Sequence, residues 1–94
     1  MTVEELRSEL SKIIAALTSS GFEKIDSETI EKLNKFAVTA GELGMKEGKH
    51  LIENLSAIMK AIKEGKSKAE SGNVRLTALD FYVHELSDSK TEDL

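Results

Sequence analysis

Apolar residues recur every three or four positions through four separate stretches of this chain, and no useful length alternates at the period of a strand. Val3, Leu6, Leu10, Ile13, Ile14 and Leu17 form the first helical stripe and predict a helix over residues 3–18. Thr2 and Glu5 have the spacing of a capping box, in which each side chain satisfies a free backbone N–H of the other residue. "TSSGF" then breaks the pattern, with Gly21 as the chain reversal. The second helix, over 27–43, carries Thr29, Ile30, Leu33, Phe36, Ala37, Ala40 and Leu43 on its inner stripe. Asp26 is its N-cap, Ile25 and Ile30 are placed as a hydrophobic staple, and Gly44 suits the left-handed turn that ends it. The third, over 46–64, carries Leu51, Ile52, Leu55, Ile58, Met59 and Ile62 on its stripe and stops at Gly65. "KSKAESGN" reads as a polar loop. The fourth, over 73–87, turns Leu76, Leu79, Tyr82, Val83 and Leu86 inward. Four helices with short connections predict an all-α, antiparallel up-down four-helix bundle. Residues 1–87 form its single domain, and 88–94 read as a charged disordered tail.

Composition narrows the function more than the fold. At 94 residues the chain has room for one domain. With no Trp and only Phe22, Phe36, Phe81 and Tyr82 as aromatics, the core must be aliphatic. Cys is absent, which removes disulfides, thiolate metal sites and cysteine catalysis, and Pro is absent, which suits uninterrupted helices. No apolar run reaches membrane-spanning length, and Met1 leads into a charged helix rather than a secretory signal, so the expected location is cytoplasmic. The formal net charge of −4 argues against nucleic acid as a partner. Charge is nevertheless uneven. Residues 46–68 hold six Lys against three Glu, while the stretches 1–31 and 69–94 are each acidic.

Catalytic chemistry finds little to work with. His50 lies between Glu47 and Glu53, three residues away on either side, and an E-x-x-H pair on a bundle helix is one part of a di-iron site, which also needs a second such pair and further carboxylates projecting inward. The second pair is missing, because Phe81 stands three residues before His84, so no metal or other cofactor is expected. With no strand there is no Gly-rich phosphate loop of the strand-to-helix kind, and no nucleophile elbow is present. At 100° per residue both histidines point away from the core, and His84 shares its outer face with Val74, Thr77 and Phe81. Either a neighbouring helix covers that face in part, or it stays open and serves self-association through Val74, Phe81 and His84.

"DSETIEKLNKFAVTAGELGMKEGKHLIENLSAIMKAIKEG" resembles the central helical hairpin of histidine phosphotransfer domains, above all those at the N-terminus of chemotaxis histidine kinases. In that family an A-H-x-L-K-G motif precedes a small-residue run and a Leu-Gly or Phe-Gly turn, which "ELGM" matches here. Aligned on Gly44, the resemblance puts Asn34 where the family has its phosphorylated His, and Ala37 and Val38 at the family's Lys and Gly. Aligned on Gly41, it puts Glu31 there. Neither residue offers an imidazole nucleophile, and the supporting Lys is absent from its slot. The resemblance therefore implies a phosphotransfer-like bundle without its reaction.

The leading expectation is a non-enzymatic protein-interaction module that binds a receiver domain or a kinase. Its docking face comprises Asn34, Lys35, Val38, Glu42, Lys46, Lys49 and His50, with no role for nucleic acid or membrane. Two alternatives remain open. One is an active phosphocarrier using His50, supported by Lys46 or Lys49. The other is a small homo-oligomeric structural protein pairing through Val74, Phe81 and His84. The oligomeric expectation is accordingly a monomer or a weak homodimer.

Overall fold

The structure is a computed structural model that describes residues 1–23 and 25–92, with side chains through Leu86. Four helices follow one another: α1 (Val3–Ser20), α2 (Ser27–Glu42), α3 (Lys46–Lys63) and α4 (Ala69–Glu92), and no strand occurs among the described residues. The ends form where the local chemistry dictates. Thr2 Oγ1 accepts the Glu5 N–H at 3.1 Å while Glu5 Oε1 accepts the Thr2 N–H at 2.9 Å, completing the capping box. Asp26 accepts the Glu28 N–H at 3.0 Å and caps α2. Gly44 takes φ 79° after α2. There the N–H of Met45 reaches the Ala40 carbonyl at 2.8 Å and that of Gly44 reaches Gly41 at 3.1 Å. This is the paired 6→1 and 5→2 bonding of a Schellman ending. Gly65, at φ 77°, repeats it after α3, with Lys66 bonded to Ala61 and Gly65 to Ile62.

The helices pack as an up-down bundle in which α1 lies beside α2 and α4, α3 lies beside α2 and α4, and among the described residues the backbones of the diagonal pairs do not approach closely. Facing residues of α2 and α3 run in opposite order: Ser27 meets Lys63, Asn34 meets Ser56, and Gly41 meets Lys49. The α2–α3 seam is the closest, α3–α4 comes next, and the two seams of α1 are sparse. The core holds Leu6, Leu10, Ile14 and Leu17 of α1, Leu33, Ala37 and Ala40 of α2, Ile52, Leu55 and Met59 of α3, and Leu76, Leu79 and Val83 of α4. Phe22, from the α1–α2 connection, joins them at 3% exposure.

Three expectations need adjustment. Ile58, placed in the shared core by sequence, is only partly buried, because it lies about 60° around α3 from Leu55. α4 starts at Ala69, four residues ahead of the expected position 73, and absorbs part of the predicted polar loop. Gly72 is then helical and buried, beneath Phe22 and Ile62. At the other end α4 runs on to Glu92, through most of the stretch 88–94 read as a tail, since no Pro or Gly follows Gly72 to stop it. Residues 93 and 94 of that stretch lie outside the described residues.

Candidate functional site

The run "NKFAVTAGELGM" divides between packing and surface. Ala37 and Ala40 are buried, and Gly41 is crossed by the stem of Lys49, whose Cδ lies 3.2 Å from where a Cβ would stand. Small residues here let α2 and α3 come together as the closest pair in the bundle. The other side of the same helix is open: Asn34, Lys35, Val38 and Glu42 are exposed, with Val38 at 61%. Helical phase separates the two sets, since Val38 follows Ala37 by 100°.

Asn34 and Glu31, the two residues that the resemblance aligns with a phosphorylated His, lie at one place. Both line a single cleft of about 460 Å³ between α2 and α3, together with Ser27, Ile30, Lys60, Lys63 and Glu64. Asn34 Oδ1 accepts the hydroxyl of buried Ser56 at 2.6 Å. Lys63 Nζ donates to Ser27 Oγ across the same seam. The cations beside the slot are therefore Lys60 and Lys63, from the C-terminal half of α3. Sequence reasoning looked instead to Lys46, Lys49 and His50 at the other end of the helix, and it missed Ser27 and Ser56. The signal was present. A tight turn at Gly44 pairs each α2 residue with the α3 residue that brings the two numbers to about ninety, which sends Asn34 to Ser56 and Ser27 to Lys63.

Of the expected basic support, Lys49 alone is seen against α2, at Gly41. Lys46 is exposed in the first turn of α3. The His50 side chain is 75% exposed, and its Nδ1 lies 3.7 Å from Glu53 Oε1 on the same helix. An imidazole so placed faces mostly solvent, beside a carboxylate of its own helix.

The face of α4 stays open. Val74 is 66% exposed and Phe81 65%, so the α1 and α3 contacts of this helix leave both uncovered. His84 sits to one side of them. Its Nδ1–H donates to the Asp80 carbonyl at 2.9 Å, and the ring nitrogen lies 3.2 Å from Asp80 Oδ1. It also borders a cleft of about 480 Å³ against Ser11, Ala15, Thr18 and Ser19 of α1. On the inner side of α4, Tyr82 packs on Gly48, where a Cβ would come within 2.9 Å of its ring. Burial raises the Tyr82 pKa and the charge of Glu47 adds to this, while a hydrogen bond with the Gly48 backbone opposes it.

Among the described residues no three His, Cys, Asp or Glu gather to hold a metal ion, and no helix is long and apolar enough to cross a membrane. No family model matches this chain, and neither a curated protein nor a solved structure resembles it significantly.

Proposed function

We propose that this chain is a non-catalytic protein-interaction module, a pseudo-phosphotransfer bundle that docks a receiver domain or a kinase on the outer face of α2. The observation that carries the reading is the Asn34 slot itself. Its amide oxygen is taken up by the Ser56 hydroxyl, and its nitrogen has no available lone pair, so the residue joins two helices instead of accepting a phosphoryl group. Around it the surface has what a docking face needs. Val38 supplies an exposed apolar anchor, and Lys35, Lys49, Lys60 and Lys63 supply cations suited to the acidic pocket of a receiver. A cytoplasmic setting goes with this role.

Incubation with a phosphorylated receiver domain or acetyl phosphate should leave the chain unmodified, while a receiver or kinase should be retained on the immobilised protein. Val38→Glu should weaken that retention by about tenfold or more, as loss of a central anchor does. The same substitution should hardly move the thermal melt, because Val38 is exposed. Acid-labile phosphate that disappears in His50→Ala would replace this reading with a working phosphocarrier.

A further inference from the structure

α4 carries a second open face, with a charge pattern of its own. Opposite the buried Leu76, Leu79 and Val83, the exposed residues Glu70, Val74, Phe81 and Glu85 fall within about 60° of one another around the helix. Thr77 and Ala78 lie between the two apolar residues. The spacing along the stripe is four, seven and four residues, so it reads the same from either end. At about 1.5 Å per residue the whole motif is roughly 22 Å long, with the apolar pair about 10 Å apart. Glu70 and Glu85 make no ion pair among the described residues, and Asp80 is set aside toward His84. α2 is diagonal to α4, with no close backbone approach between them among the described residues, so this face is separate from the one proposed above.

The carboxylates decide what can lie there. A second copy, crossing antiparallel at Thr77–Ala78, would seat each Val74 on the other copy's Phe81. The same register sets Glu70 of each chain against Glu85 of the other, two like-charge contacts that oppose the pairing. A helix of another protein with cations at those two places keeps the apolar match and turns both contacts attractive. We infer that the outer face of α4 docks a cationic amphipathic helix, with two large apolar residues seven apart and a Lys or Arg four residues beyond each. An apolar helix face laid against such a partner is a common mode of recognition. One helix on one helix buries less than the roughly 1,200 Å² of a standard interface, so the complex is a transient one.

Two synthetic helical peptides test this on the full chain by fluorescence anisotropy: one with Leu seven apart flanked by Lys at the stated spacing, the other identical but with Glu for Lys. The Lys peptide should bind at least about tenfold more tightly than the Glu peptide, and less tightly as salt is added. Phe81→Glu should abolish binding with the circular-dichroism spectrum unchanged. The double variant Glu70→Lys/Glu85→Lys should reverse the preference, a readout that misfolding cannot mimic. Val38→Glu should leave peptide binding untouched, which keeps this surface distinct from the α2 face. Equal binding of the two peptides would overturn the inference. So would indifference to Phe81→Glu, or a wild-type dimer in sedimentation that Phe81→Glu dissociates, which would give the face to a second copy.

Discussion

Gly41 and Gly72 are both helical, and replacing each with Ala should change stability in opposite directions. Alanine is the better helix former by about 1 kcal/mol, so the backbone favours both substitutions. At Gly41 the new methyl meets only the stem of Lys49, a flexible side chain that can move aside. At Gly72 it would stand 2.9 Å from Ile62 Cδ1 and 3.0 Å from two ring carbons of Phe22, which is itself buried and cannot yield. Gly41→Ala should therefore raise the stability read from urea unfolding by about 0.5–1 kcal/mol. Gly72→Ala should lower it by about 1 kcal/mol, overpacking of about 1–3 kcal/mol outweighing the helical gain. A rise in both would mean that Phe22 repacks freely. The two cases also show where reading single residues ended. The openness of Val38, Val74, Phe81 and His50 follows from helical phase alone, and phase was right for each. What Phe22 covers, and what Ser56 bonds, depends on partners far away in the chain.

Helix ends were legible where they are written in side chains. Thr2, Glu5, Asp26, Gly44 and Gly65 act as their types predict, whereas the start of α4 was hidden by Gly72, a residue that looks like a loop until its cover is seen. The α1 cap also makes a pH prediction. Hydrogen bonding with the Thr2 backbone, and then with its side chain, holds the Glu5 carboxyl below its usual pKa. Since the folded value is the lower one, the stabilisation is complete above the unfolded carboxylate pKa and fades as pH falls through the folded value. Thr2→Ala should cost about 1 kcal/mol at neutral pH, from thermal melts, through loss of the cap. Its deficit against the wild type should narrow slightly in acid, since alanine keeps the backbone N–H that Glu5 accepts and removes only the smaller, side-chain part of the Glu5 stabilisation. A deficit that stays constant with pH would show that the two halves of the box are not coupled. Tyr82 has the opposite sense: its raised pKa keeps the phenol neutral, and that contribution is lost only as pH rises beyond the ordinary phenol range.

Across the whole molecule, one fully buried residue is a direct test of the shared core. Leu55 is fully buried in the middle of α3, the helix with both of the closer seams. Leu55→Ala should cost about 2–5 kcal/mol in chemical unfolding, a large share of what a domain of this size has. A cost near zero would mean that the helices do not close around it. The bundle as a whole could be read in advance because four amphipathic stripes with short connections have few ways to bury themselves. The cleft beside Asn34 could not be found by listing plausible residues along the chain. It required the pairing of α2 with α3, and that pairing exchanged one end of α3 for the other.

The sparse seams of α1 have a consequence for how the native state breathes. A helix that holds its neighbours loosely can detach while the rest remains assembled, so the lowest excited state should be α1 free and α2, α3 and α4 still docked. Amide exchange should resolve this as two cooperative units. The protected amides of α1 should open together at a lower free energy than those of α3, and with a weaker dependence on denaturant. The open form would bare the sides of α2 and α4 that face α1, leaving a three-helix remnant one helix short of closure. Another copy's α1 fits that gap as well as its own, which makes exchange of α1 between molecules the expected route to any dimer formed at high concentration.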